Sequence, residues 1–193
     1  ILRSQYWWPG MDRDAEEAVK NCIFCSQSSK TFRSGPSPEK NASLPLPNFP
    51  WERLAIDIKG PMYDVPPCSR YAIVIVDLLS KWPEVFFTSS VETEKIIEAL
   101  KAVFAREGLP TQILSDNGPQ FTSMTFKLFV EENNISHVRS PLYCPQTNGV
   151  VERFNRTLSE QIEIAKLQKL KIKDYIQDFL QTYRATPHHR VKI

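Results

Sequence analysis

The chain has 193 residues, 41% of them hydrophobic and 24% charged, which reads as a soluble, globular protein of one ordinary domain plus a small appendage. No apolar run approaches the ~20 residues a membrane helix needs, and residues 1–5 have no apolar core of the kind a signal peptide carries. The net charge is only +2, but residues 153–193 hold nine Lys/Arg against four Asp/Glu, so the basic charge is concentrated in the C-terminal part. That distribution suits phosphate binding, although the Lys166, Lys169, Lys171 and Lys173 stretch reads equally well as a solvated helix surface.

Asp14 to Lys20 reads as a short helix, followed by Cys22 and Cys25 in a C-x-x-C. With Cys68 and Cys144 standing alone, the four cysteines do not form a disulfide framework, and a reducing compartment is expected. Residues 31–50 carry five prolines amid Ser and Asn and read as an extended linker. The main domain is expected to begin near Trp51. Leu54, Ile56 and Ile58 alternate with Ala55, Asp57 and Lys59 at the period of a strand, which turns Asp57 away from the three large apolar residues. Residues 71–76 are continuously apolar, as in a strand covered on both faces. Residues 85–88 make a third strand, with turns at Pro66-Pro67 and at Lys81-Trp82-Pro83.

Thr93 has the character of an N-cap, with Glu94 in the first turn. Ile96, Ile97, Leu100, Val103 and Phe104 recur at helical spacing until Gly108 and Pro110 end the helix. Residues 112–115 form a strand that delivers Asp116 at its C-terminal end. A helix follows from Ser123, with Phe126, Phe129 and Val130 on one stripe, and a fifth strand runs from Ile135 to Arg139. Three strands, helix, strand, helix, strand and then helices make a mixed α/β pattern. The long loop Ser140–Gly149, rich in Pro, Asn and Gln, has the length of a functional loop.

Three acids stand out: Asp57, Asp116 and Glu152, with 35 residues between the last two. Each has a bland reading: an edge-strand acid, a turn residue in Asp-Asn-Gly, and an acid complementing a helix N-terminus. Glu152 carries more information. Val151, Phe154, Leu158 and Ile162 form an apolar helix stripe, which leaves Glu152, Asn155, Arg156 and Ser159 on another face. A carboxylate, a cation and two neutral hydrogen-bonding groups suit a metal ligand beside a phosphate-contacting Arg. A plain surface Glu–Arg pair satisfies the same spacing. Three converging carboxylates make an all-oxygen site for hard divalent cations, of the kind that cuts and rejoins phosphodiester bonds.

The blocks Pro50-Trp51-Glu52, Ser115 to Phe121 and Pro145 to Leu158, with Tyr6 to Met11 and Cys22-x-x-Cys25 upstream, resemble the retroviral and Ty3/Gypsy-type retrotransposon integrases over nearly the whole chain. The resemblance implies an RNase H-like α/β fold, a five-stranded mixed sheet flanked by helices. It implies a partial zinc-binding module over 1–30, a Pro-rich linker over 31–50 and a catalytic core over 51–193. It further implies that Asp57, Asp116 and Glu152 hold two Mg²⁺ or Mn²⁺, that Asn117, Gln146, Asn148, Asn155 and Arg156 lie near the DNA ends, and that the partners are element and target DNA and further copies of the chain. The reactions would be 3′-end trimming and strand transfer, and the working compartment the nucleus, reached from the cytoplasm, with no membrane involvement.

Two departures qualify the resemblance. The family's zinc module has two His before two Cys, whereas the three His here are His137, His188 and His189. Cys22 and Cys25 are thus half of a Zn²⁺ site, completed only by His upstream of Ile1. Cys144 stands where relatives commonly have His. The intact acids favour a polynucleotidyl transferase; a domesticated or decayed copy that binds nucleic acid or partners without catalysis is the alternative, and a nuclease on the same fold and metals is a third reading.

Overall fold

The computed structural model describes residues 6–25, 47–139 and 149–186. They fall into two compact units, one of residues 6–25 and 156–186, the other of 47–139 and 149–155. The C-terminal helices group with the N-terminal segment. Among the described residues no helix is long and apolar enough to cross a membrane.

In the larger unit, β1 (Arg53–Lys59), β2 (Tyr71–Asp77), β3 (Pro83–Thr88), β4 (Gln112–Ser115) and β5 (Ser136–Arg139) form one sheet in the order β3-β2-β1-β4-β5. β2 is antiparallel to β1 and β3, while β4 and β5 run parallel to β1. The expected mixed five-stranded sheet is therefore present. β1 lies at its centre, which removes the edge-strand reading of Asp57. Arg53 faces Gln112 and Ala55 faces Leu114, where the parallel ladder ends; Asp116, two residues beyond, is near enough for its charge to act on Asp57.

One face of the sheet is covered by α2 (Thr93–Glu107) and α4 (Met124–Glu132). Leu54, Ile56, Ile73, Ile75 and Ile113 from the strands close on Ile96, Leu100, Val103 and Phe126, all at most 1% exposed. Burial at this level contributes roughly 1.5–3 kcal/mol per large side chain. Phe126 meets Phe121 edge-on, with ring centroids 5.5 Å apart, the preferred arrangement for opposed ring quadrupoles.

Three local expectations are corrected. The N-cap of α2 is Glu92, not Thr93. The Thr93 hydroxyl instead donates to the Gln120 carbonyl at 3.2 Å, joining α2 to the next helical segment. Pro83 opens β3 rather than closing a turn, a position open to proline because β3 is an edge strand and Pro83 its first residue. Ahead of Ser123, the segment Gly118-Pro119 starts a short additional helix, α3 (Pro119–Thr122), with proline in its first turn. Ser123 then caps α4 by accepting the Phe126 N–H at 3.2 Å.

In the smaller unit, α1 (Met11–Asn21) precedes the Cys22–Cys25 segment. Helix α5 (Gly149–Leu167) runs from the larger unit into the smaller one, where α6 (Ile172–Ala185) follows it. Ile172, Ile176 and Leu180 give α6 a buried stripe, and Tyr175 Oη donates to Gln161 Oε1 at 2.9 Å. On α5, Val151, Phe154, Leu158 and Ile162 are buried as their spacing predicts. Ser159 is buried too, at 6% exposure, so the face it was expected to share with Glu152 does not stay in solvent along the whole helix.

Candidate active site

Asp57 lies at the middle of the central strand and is half-buried. Its Oδ1 accepts the Ile58 N–H at 2.9 Å, and its Oδ2 accepts Nδ2 of Asn155 at 2.6 Å. Burial is the largest influence on the carboxyl and pushes its pKa above the ordinary aspartate value; the negative charges of Asp116 and Glu152 push the same way, and the Ile58 and Asn155 donors push back. The three acids therefore share one electrostatic neighbourhood, concentrated on the carboxylate that is hardest to ionise. Among the described residues, however, no three His, Cys, Asp or Glu side chains are gathered tightly enough to hold an ion as they stand.

Asp116 follows β4 directly and is exposed. Its Oδ1 accepts the Gly118 N–H at 2.9 Å, the local Asx turn that the Asp-Asn-Gly sequence favours. Asn117 is exposed beside it. Glu152 is exposed in the first turn of α5, where its charge also complements the helix dipole. Gln146 and Asn148 lie outside the described residues, as do Cys144, His188 and His189. Arg156 is exposed on α5 one turn after Glu152.

The donor set fits a hard divalent cation in kind. All candidate ligands are carboxylate oxygens, and the mutual repulsion that burdens Asp57 is what a bound cation relieves. The cysteine pair fits zinc only in part. Cys22 and Cys25 are free thiols; the backbone N–H and thiol of Cys25 hold the Cys22 thiol below its ordinary pKa, while the same contact raises that of Cys25, so the pair shares one readily lost proton. Two sulfurs make half of a tetrahedral set, and no described residue completes it.

Two participants near the acids were not legible from local sequence. Asn155, expected at the DNA, donates to Asp57; its place three residues after Glu152 was the available signal. Ser115, fully buried at the end of β4, lies 2.8 Å from Nε2 of His137 on β5. Period-two alternation puts each on a definite strand face, but the register that joins them is not written in either strand.

Residues 1–31 match the family model described as the integrase zinc binding domain, and residues 48–145, half of the chain, match that of the integrase core domain. An uncharacterized protein of Caenorhabditis elegans is 36% identical over 186 residues, covering 96% of this chain and 14% of that protein. The Gag-Pol polyprotein of Walleye dermal sarcoma virus is 32% identical over 196 residues, covering 95% of this chain and 10% of the polyprotein. The chain thus corresponds to a small part of these relatives. Among solved structures, the intasome of simian T-cell lymphotropic virus in complex with a PP2A regulatory subunit superposes with a TM-score of 0.68 at 20% identity, covering 92% of this chain and 63% of that chain. The HTLV-2 integrase catalytic core domain in complex with magnesium superposes at 0.59 and 22% identity, covering 75% and 94% respectively. At such identities these structures speak for the fold alone, which is RNase H-like. On the strength of the core-domain match, the chain belongs to the integrase core family of the retroviral type, with an integrase zinc binding domain ahead of the core.

Proposed function

We propose that this chain carries the catalytic core of a Gypsy-type retrotransposon integrase, a polynucleotidyl transferase that trims the 3′ ends of element DNA and joins them to target DNA. The observation that carries the reading is the convergence of the Asp116 and Glu152 charges on a half-buried Asp57 that is tied to Asn155. A buried central-strand carboxylate under like-charge repulsion is unfavourable in the apo protein, and a cation site gives that arrangement a purpose.

Asp57, Asp116 and Glu152 would hold two Mg²⁺ or Mn²⁺. Bound there, the ions supply Lewis acidity at the scissile phosphate and lower the pKa of the attacking water or 3′-hydroxyl. The chain's own residues do the rest. Asn155 and the Ile58 N–H hold both Asp57 oxygens in place as acceptors. Asp116 and Glu152, exposed at a strand end and a helix start, leave the site open to a nucleic acid backbone. Arg156 and Asn117, with Gln146 and Asn148, would serve as phosphate and base contacts. The HTLV-2 integrase core, which shares this fold, is known in complex with magnesium in dimeric and trimeric forms; the present chain would take the same cation and work as a homo-oligomer. On this reading Cys22 and Cys25 hold Zn²⁺ once two His join them, and the protein works in the nucleus after passage through the cytoplasm.

The test is cleavage and strand transfer on labelled DNA ends with Mn²⁺ or Mg²⁺, parent beside Glu152→Gln. Activity in the parent that is lost in the variant supports the reading. If both proteins bind DNA and neither cuts nor joins it, the catalytic reading falls and the non-catalytic DNA-binding alternative takes its place. Cleavage without joining would favour a nuclease on the same acids.

A further inference from the structure

Asp116 stands at the end of a strand of four residues, where a backbone normally frays. Two features oppose that. Ser115, 0% exposed, donates its hydroxyl proton to the Asp116 carbonyl at 2.8 Å. The same Oγ lies 2.8 Å from His137 Nε2. A hydroxyl has one proton to give, and here it is committed to the carbonyl, so the contact to His137 must run the other way. His137 therefore carries its proton on Nε2 and donates to Ser115. The order is His137 Nε2–H to Ser115 Oγ–H to the Asp116 carbonyl.

The imidazole is fixed in turn. It meets the Phe126 ring edge-on, with centroids 5.0 Å apart and planes at 68°. Phe126 is fully buried in the core between sheet and helices. The parallel β4–β5 ladder pairs Ile113 with His137 and Ser115 with Arg139, so side chains of 113, 115 and 137 rise on one face of the sheet. The relay thus ties the peptide of an exposed acid to the buried core through two side chains.

We infer that Ser115 and His137 are positioning residues for Asp116, which fix its carbonyl and so the direction in which its carboxylate leaves the chain. The inference rests on the reading of Asp116 as a metal ligand. It needs no titration, because the Nε2 proton is present in this neutral tautomer and in the imidazolium alike. A pair that merely satisfies its own buried polar atoms would affect stability but not metal affinity. Partners that orient a ligand affect both, and their loss typically costs tenfold or more in metal affinity.

The experiment is Mn²⁺ titration of the chain, free Mn²⁺ read by electron paramagnetic resonance, with thermal unfolding in parallel. The variants are His137→Phe, which keeps a ring against Phe126, His137→Gln, which keeps a donor, Ser115→Ala, their double with His137→Phe, and Asp116→Asn. The expected result is about tenfold weaker Mn²⁺ binding in His137→Phe and in Ser115→Ala. The double variant should be no weaker than either, since both break one relay, and His137→Gln should recover most of the loss. Unchanged Mn²⁺ affinity in both single variants, with binding lost in Asp116→Asn, overturns the inference and leaves the metal reading standing. Losses that multiply in the double variant overturn it as well. Unchanged affinity in Asp116→Asn removes the metal reading and the inference together. If His137→Phe does not fold, Ser115→Ala decides by the same criterion.

Discussion

Replacing Asn155 by Ala removes the amide that donates to Asp57 Oδ2 at 2.6 Å. A hydrogen bond to a charged group contributes about 1.5–3 kcal/mol; with Asp57 half-buried, about 2 kcal/mol is a fair figure. Ala is the better helix former by about 0.5 kcal/mol, which offsets part of the loss. The net cost at pH 7 is therefore about 1.5 kcal/mol. Protonating Asp57 converts the bond to a neutral one of about 1 kcal/mol, so the cost at pH 4 falls to about 0.5 kcal/mol. Urea denaturation of parent and variant at both pH values measures the two differences. The difference between the two pH values reports the part of the cost that depends on the charge of Asp57 and its acidic neighbours. A cost that is the same at pH 7 and pH 4 would refute the argument that Asn155 supports an ionised Asp57.

Asp57→Asn should stabilise the metal-free protein at pH 7 while abolishing activity. The folded-state pKa of Asp57 is raised, so its contribution to stability is present below the ordinary aspartate value and is lost as pH rises through the folded value. Relative to the parent, the variant should gain stability as pH rises from about 3 to about 7; a relative stability that does not change over that range would contradict the repulsion argument. Arg156→Ala should weaken DNA binding and reduce the slope of log affinity against log salt by about one unit, and an unchanged slope would take Arg156 off the DNA. Gly60, just after β1, has φ +132°, and a Cβ there would lie 2.7 Å from the Arg70 carbonyl oxygen. Gly60→Ala should cost about 2 kcal/mol, read as a lowered urea midpoint; an unchanged midpoint would mean the β1–β2 connection yields freely.

The strands were legible because alternation and unbroken apolar runs report burial directly, and the integrase likeness because its blocks are local. What escaped the sequence was pairing. Asp57 reads as an edge acid until β2 and β4 are seen to flank its strand, and the nearness of Asp116 depends on the β1–β4 pairing that precedes both acids. Thr93 has the right chemistry for a cap and the right position, yet its hydroxyl finds the Gln120 carbonyl, a partner 27 residues away. Ser159 has the spacing of the polar face but is buried, because a nineteen-residue helix that meets different surroundings along its length is not described by one stripe. The bond between His137 and Ser115 depends on a register that neither strand specifies.

The central place of β1 has a kinetic consequence. The strand pairs with β2 over Leu54–Lys59 and with β4 over Arg53–Ala55, so the part that carries Asp57 is held by the β2 ladder. In native-state hydrogen exchange, the β1 amides bonded to β2 belong with the slow class, which exchanges only when the two strands part. Loosening this acid then means parting β1 from β2. Sublethal heat or denaturant will leave Asp57 in register with Val74 until that ladder gives way, and an inhibitor that sought to displace it would have to work against the pairing of the two strands.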